Sequence, residues 1–342
     1  METILSTAGR QKVYAIDETA EIAGVRRGSA ELAKLQSFDE TVAGKLAIAV
    51  TEAATNIVKH ATRGQIILRP VEQGDATGIE VIALDAGRGM SNVALHMRDG
   101  VSTAGSYGVG LGAMVRLADE FDIYSHEDKG TAIYMKFWNI PPTPASGIWQ
   151  TGVVCLPLPS EEVCGDAWAV CSDPTLATVM VADGLGHGPD AARASEAAIN
   201  LIGSHPDLYP EAAIWESHAS LRATRGAAVA VARLDTLSEE LHFSGVGNIA
   251  AVCFQTGSKR QLMSHNGIVG SNMRKVQEFV LPWTSGTMLV MHSDGLGTRW
   301  SLDQYPGLEA AHPALIAAVL YRDFCRQRDD VTVLVIREQV IQ

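Results

Sequence analysis

The sequence predicts two domains, an α/β sandwich followed by an α+β sandwich of two sheets flanked by helices. Three observations lead there. The chain has 342 residues, 46% of them hydrophobic and 19% charged, and at ~150 residues per domain that length holds two units able to bury their own cores. Pro141, Pro142 and Pro144 crowd the stretch before Ala145-Ser146-Gly147, favouring extended backbone and breaking regular hydrogen bonding. Before this break helical and β-rich stretches alternate, and after it runs of strands surround grouped helices. The expected division is 1–140, a proline-rich linker over 141–149, and 150–342.

In the first segment a strand is expected over 12–16 and a helix over 18–36. A longer helix follows, opened by Ser37 or Asp39 as N-cap. The β-branched stretches 65–71 and 79–84 read as strands, with 121–125 and 131–138 closing the segment. A glycine-rich stretch from Gly105 leads into a helix over 113–120, and the strand connectivity is expected to be mixed. In the second segment strands are expected over 163–171, 176–181, 227–234, 240–244, 250–254 and 287–292, and Val331-Thr332-Val333 begins another. Helices are expected over 189–202, 211–224 and 314–326.

Composition excludes several classes. With 27 Lys+Arg against 39 Asp+Glu, the net charge of −12 repels phosphate backbones and anionic lipid, so neither nucleic acid nor membrane is an expected partner. The five cysteines form no C-x-x-C pair and are odd in number, which fits neither a disulfide framework nor a zinc site. Residues 1–14 lack a signal-peptide apolar region, and no apolar run reaches the ~20 residues that span a bilayer. A cytoplasmic location is expected.

Glu52, Asn56 and His60 recur every four residues and share one face of the second helix. A carboxylate there can take a proton from an attacking hydroxyl, and an amide oxygen can ligate Mg²⁺; a solvated polar helix face has the same pattern. Two further elements follow in order. Asp85-Ala86-Gly87-Arg88-Gly89 ends a strand with an acid and a turn that lets backbone approach a flat ligand. Gly105-Ser106-Tyr107-Gly108-Val109-Gly110-Leu111-Gly112 then precedes a helix, offering backbone amides to phosphate oxygens.

This ordered trio resembles the N-box, G1 box and G2 lid of the GHKL ATPase superfamily, over about residues 10–138. With Asp99-Gly100-Val101-Ser102-Thr103-Ala104-Gly105 and Asp119-Glu120-Phe121-Asp122-Ile123-Tyr124-Ser125, it is most similar to RsbT-type serine kinases of bacterial partner-switching systems. The resemblance implies a GHKL α/β sandwich, a mixed sheet with helices on one face, that binds ATP and Mg²⁺. It implies Glu52 as general base for the acceptor serine, Asn56 as Mg²⁺ ligand and Asp85 as adenine anchor. Gly87 and Gly89 would shape the adenine floor, Gly108, Gly110 and Gly112 the lid, and Thr131 would support Asp85. His60 is then a neighbour of the N-box and not a phosphate acceptor.

In the second segment acids recur at strand ends: Asp166, Asp183, Asp294 and the pair Asp329-Asp330. Asp-Gly is common in hairpin turns. Converging carboxylates, however, repel unless cations neutralise them, and two divalent ions ~3.5–4 Å apart can activate water against phosphate. The stretches Cys164-Gly165-Asp166-Ala167-Trp168, Ala182-Asp183-Gly184-Leu185-Gly186-His187-Gly188, Ser244-Gly245-Val246-Gly247-Asn248, Gly267-Ile268-Val269-Gly270, Ser293-Asp294-Gly295-Leu296 and Asp329-Asp330-Val331-Thr332 resemble, in order, the SpoIIE-type branch of the PPM serine/threonine phosphatases. That resemblance covers about 150–337 and implies a PPM-type sandwich holding two Mn²⁺ or Mg²⁺. It implies Asp166, Asp183, Asp294 and Asp329 as carboxylate ligands, Asp166 and Asp183 central to catalysis, and Gly184 giving a backbone carbonyl. His187 reads as a ligand or a supporting residue, and a hard cation's preference for oxygen favours support. Cys164 stands where the family pattern has the first Gly of Gly-Gly-Asp, a change that bears on loop geometry. The short insertions between motifs are similar to compact RsbX-like phosphatases.

The two resemblances together imply a bifunctional switch enzyme, a serine kinase fused to a phosphoserine/phosphothreonine phosphatase. The implied partners are STAS-domain proteins of a stressosome or anti-sigma pathway. The alternative is an ATP-gated anti-sigma-like binding module fused to a phosphatase that is the only catalyst. A small-molecule ATPase with a degenerate metal site is a third class, which the complete set of acids disfavours.

Overall fold

A computed structural model describes residues 2–5, 10–61, 63–97, 110–142, 148–255 and 257–339. Gly108 and most of the proline-rich linker lie outside these residues. The chain forms two compact units, one of Gly9–Pro144 with Ser301–Val319, the other of Met1–Ala8, Ala145–Trp300 and Leu320–Gln342. A single cut at the proline-rich stretch, with domains 1–140 and 150–342, therefore does not describe them: each unit takes a short segment from beyond the cut.

Strand β1 (Glu2–Leu5) belongs to the second unit. The first unit then runs β2 (Lys12–Ile16), α1 (Thr19–Leu35), α2 (Glu40–His60), β3 (Gly64–Gln73), β4 (Ala76–Asp85), α3 (Val93–His96), α4 (Gly110–Leu117), β5 (Glu120–Ser125) and β6 (Thr131–Trp138). Asp39, not Ser37, caps α2, accepting from Val42 N at 2.8 Å. The last helix starts three residues earlier than expected and ends at Leu117, so Glu120 lies in a strand. The sheet has the order β2-β3-β4-β6-β5, and every one of its pairings is antiparallel. This corrects the expected mixed sheet: β3 and β4 form one continuous hairpin, and β5 and β6 another, so no parallel crossover is needed.

One sheet face buries Ile66, Leu68, Ile79, Val81, Met135 and Phe137 against Val25, Leu46, Val50 and Ile57 of α1 and α2. Strict alternation places the neighbouring residues on the other face. There Arg69 pairs with Glu80 at 2.8 Å, both nearly buried. Tyr134 stacks on His312 with ring centroids 4.0 Å apart, and Asp122 Oδ2 accepts from His312 N at 2.6 Å.

The second unit contains β7 (Trp149–Leu156), β8 (Asp166–Ser172), β9 (Leu176–Gly184), α5 (Pro189–Ser204), α6 (Pro210–Ser220), β10 (Ala227–Asp235), β11 (Glu240–Val246), β12 (Ala250–Gln255), β13 (Ser258–Leu262), β14 (Phe279–Pro282) and β15 (Met288–His292). Helix α7 (Pro313–Phe324) begins in the other unit and ends in this one, and β16 (Val331–Glu338) closes the chain order. A six-stranded sheet β1-β8-β9-β10-β11-β14 faces a five-stranded sheet β13-β12-β15-β16-β7. Trp168, Val179, Val181, Phe243, Leu289, Met291, Leu334 and Ile336 fill the core they share. Helices α5 and α6 cover the outer face of the first sheet through Ala194, Ile199, Ile202 and Ile214 against Ala167, Met180 and Val229. No helix among the described residues is long and apolar enough to cross a membrane.

Candidate functional site

Glu52 and Asn56 lie one turn apart on α2, both partly exposed. Gly110 begins α4 directly against them. A Cβ at Gly110 would lie 2.8 Å from Glu52 Oε2 and 3.7 Å from Asn56 Oδ1, so any larger residue there pushes the carboxylate aside. Gly112 is buried two residues further on. At the end of β4, Asp85 Oδ1 accepts from Gly87 N at 2.7 Å and from Thr131 N at 3.2 Å. The turn and the start of β6 thus hold the same carboxylate oxygen. Gly89 has φ 66°, and a Cβ there would strike the His126 carbonyl. The expected nucleotide residues therefore fall in two groups, Glu52, Asn56 and Gly110 in one, Asp85, Gly87 and Thr131 in the other. A Cβ at Gly87 would lie 2.7 Å from His60 O, the end of α2, which joins them. Gly108 lies outside the described residues.

The acids of the second unit converge by sheet register. Asp166 opens β8 and Asp183 nears the end of β9, and the two are direct cross-strand partners. Asp294 follows β15 and Asp329 precedes β16, adjacent strands of the facing sheet. Burial, then the negative charges of Asp166, Asp294 and Asp329, push Asp183 up to about 9. Burial likewise pushes Asp166 up to about 7, against the weaker pull of the Ser293 and Thr332 hydroxyls, neither of which forms a hydrogen bond to it. Both carboxylate oxygens of Asp166 are buried without a hydrogen-bond partner. Among the described residues no three His, Cys, Asp or Glu side chains are closed around one point as in a formed metal site. Asp183 nevertheless feels the charges of Asp166, Asp294 and Asp329, and Asp166 feels those of Asp330 and Asp329. Orphaned, mutually repelling carboxylates are what a hard divalent cation relieves, and an all-oxygen donor set suits Mg²⁺ or Mn²⁺. The residues fit the metals.

Asp330 has a different task from Asp329. Its Oδ1 accepts from Leu158 N and its Oδ2 from Gly165 N, each at 2.8 Å, so it ties the β7–β8 loop to β16. Among the described residues the Asp329 carboxylate accepts from Asp330 N alone, at 2.9 Å. The amino-acid sequence places Asp330 among the acids but does not assign it this anchoring role, nor one to Asn248, whose Nδ2 donates to Asp294 Oδ2 at 2.8 Å. A polar residue inside a quoted motif is the signal that was available for each. Gly184 donates its N–H to Gly165 O at 3.1 Å and packs its Cα on Ala191 O, leaving no room for a Cβ. His187 Nδ1 lies 2.6 Å from Glu161 Oε1, with most of the imidazole exposed.

The histidine kinase-like ATPase domain family matches residues 17–137, and the stage II sporulation protein E (SpoIIE) family matches residues 173–339. The serine/threonine-protein kinase RsbT of Bacillus subtilis (strain 168) is 34% identical over 118 residues, covering 34% of this chain and 89% of RsbT. A solved chain from work on the bacterial stressosome as a modular system adapted to control secondary messenger signalling is 28% identical. It covers 55% of this chain and 99% of that one, with a TM-score of 0.52. Through its N-terminal region the chain belongs to the RsbT family of serine/threonine-protein kinases, and it joins that region to one that matches the SpoIIE family.

Proposed function

We propose that the chain is a bifunctional partner-switching regulator that phosphorylates a serine of a STAS-domain protein and removes phosphate from phosphoserine or phosphothreonine. The observation that carries this reading is the presence in one chain of two separate acid centres, Glu52 with Asn56 beneath Gly110, and Asp166, Asp183, Asp294 and Asp329 at the sheet ends. In the first, Asp85 anchors adenine and Asn56 offers its amide oxygen to the Mg²⁺ that accompanies ATP. Glu52 takes the proton as the substrate serine oxygen bonds to the γ-phosphorus and ADP leaves. In the second, the four carboxylates and the Gly184 carbonyl would hold two Mn²⁺ or Mg²⁺, which supply an activated water and neutralise phosphate charge. Asn248 orients Asp294, and Asp330 fixes the loop that presents Asp166. The phosphate so written or erased carries about −1.5 to −2 charge, enough to break a docking surface. The compartment is the cytoplasm.

The test incubates the whole chain with a STAS-domain partner and ATP·Mg²⁺, then phosphorylated partner with Mn²⁺. Glu52→Ala is expected to abolish partner phosphorylation with ATP binding intact, and Asp183→Asn to abolish phosphate release. Unchanged partner control in Glu52→Ala would favour ATP-gated binding in place of the kinase. Neither transfer nor release with any STAS partner would defeat the proposal.

A further inference from the structure

Two cysteines meet beside the acid cluster. Cys155 lies on β7, opposite Thr332 in the β7–β16 ladder of the five-stranded sheet. Cys164 lies in the loop that enters β8 of the six-stranded sheet, two residues before Asp166. Their Sγ atoms are 3.8 Å apart, and both residues are thiols. The loop between them is held by Asp330 at Leu158 and at Gly165, so their proximity is imposed by anchored backbone. A disulfide has its sulfurs ~2.05 Å apart. The remaining approach is under ~2 Å, the scale of a side-chain rotation with a small loop shift.

The Cys155 Sγ also lies 3.8 Å from the backbone carbonyl of Asp166. Any movement that draws Cys164 toward β7 acts on the residue two positions from it, whose carboxylate has no hydrogen bond to hold it in place. A bond between these sulfurs would also join the two sheets, one carrying Asp166 and Asp183, the other Asp294 and Asp329, at the end where the acids meet.

We propose that Cys155 and Cys164 form a redox modification site, oxidised by peroxide to a disulfide that joins the two sheets and weakens divalent-metal binding by the neighbouring carboxylates. One thiol gives up its proton and its sulfur bonds to a peroxide oxygen; the O–O bond breaks, leaving a sulfenic acid and one water. The second sulfur attacks the sulfenic sulfur, the S–S bond forms, the S–O bond breaks, and a second water leaves with the second thiol proton. Two thiols lose two electrons and one peroxide gains them. The metal consequence rests on the phosphatase reading above, whereas the cross-link does not.

The experiment treats the whole chain with hydrogen peroxide and measures two things. Non-reducing peptide mapping reads the cross-link, and calorimetric titration with Mn²⁺, without substrate, reads affinity. The expected result is a 155–164 linked peptide pair and an Mn²⁺ affinity at least about tenfold weaker, a change of ~1.4 kcal/mol, both reversed by dithiothreitol. Cys155→Ser and Cys164→Ser are expected to keep their Mn²⁺ affinity under peroxide, and Cys155→Ala and Cys164→Ala repeat the test should a serine variant fold poorly. Absence of the linked pair overturns the proposal, as does a linked protein with unchanged affinity. A reduced chain that takes up no Mn²⁺ overturns its metal half together with the phosphatase reading, while the peptide map still reports on the bond.

Discussion

At the residue scale, Gly110 and Asp183 show opposite ways of shaping a site. Gly110 contributes by lacking an atom, since a Cβ would intrude 2.8 Å from Glu52 Oε2. Gly110→Ala is expected to displace that carboxylate by a fraction of an ångström and to slow phosphoryl transfer by on the order of 100-fold. Phosphate release by the other unit should be unchanged, and a radiolabel assay of both reactions checks this. Asp183 contributes a charge that the bare fold disfavours, being buried and faced by Asp166, Asp294 and Asp329. Removing it relieves repulsion. Asp183→Asn in metal-free buffer is therefore expected to melt higher than the parent by ~2–4 °C, the shift of about 1 kcal/mol in a domain of this size. The stabilisation that Mn²⁺ gives the parent chain should be lost in the variant, as read by differential scanning fluorimetry with and without the metal. A variant that melts lower in metal-free buffer would contradict the repulsion described for this cluster.

At the scale of elements, site precision comes from how loops are tied to strands. Asp330 satisfies two backbone N–H groups of the β7–β8 loop from the start of β16. Asp330→Ala leaves both without their acceptor, at ~1–3 kcal/mol for an unsatisfied buried donor. It should lower the melting temperature of the second unit and weaken Mn²⁺ binding, although the residue is not assigned as a ligand. Asp330→Asn, which can still accept one bond, should fall between. The helix carrying Glu52 starts at Asp39, whose cap on Val42 N is exposed. Asp39→Ala should cost ~1 kcal/mol with little effect on transfer at low temperature, because Glu52 lies more than three turns from that end.

Several of these elements are legible in the amino-acid order, and others are not. The hairpin strands, the long helices α1 and α2 and the strands entering Asp183 and Asp294 carry period-two or helical patterning that burial enforces. Strands β1, β13 and β14 are short strands at the sheet edges, and strands this short carry little patterning signal. Likewise β7 begins just past the proline-rich stretch, where turn signals mask its alternation. The adjacent Asp329 and Asp330 differ in nothing the sequence can display. Only the loop that Asp330 binds separates them.

At the scale of the whole molecule, the exchange of segments between units has a thermodynamic consequence. Ser301–Val319 lies in sequence within the SpoIIE match yet belongs to the kinase-like unit, where His312 stacks on Tyr134. Tyr134 is almost wholly buried and its hydroxyl bonds to Glu120 at 3.1 Å. A fragment ending at residue 142 would expose this face. It is expected to melt lower than the first unit does in the whole chain and to aggregate, and His312→Ala in the whole chain should reproduce part of the loss. A fragment as stable as the intact unit would show that the segment contributes nothing. Ligands should act selectively: ATP·Mg²⁺ is expected to raise the transition of one unit and Mn²⁺ with phosphate that of the other.

By itself the sequence determined which reactive groups each half offers, because acids at strand ends and a glycine-rich stretch after a polar helix face are local facts written in residue order. The tertiary structure decided the rest: that Asp166 faces Asp183 across one ladder, that Asp330 anchors while Asp329 does not, that Cys155 meets Cys164, and that 301–319 serves the first unit. Each of these is a pairing that residue order does not state, nine positions apart for Cys155 and Cys164 and 172 for Asp330 and Leu158, and each is fixed by sheet register, loop anchoring and the burial of whole faces. Such pairings arise only when the hydrophobic surfaces of many elements close together.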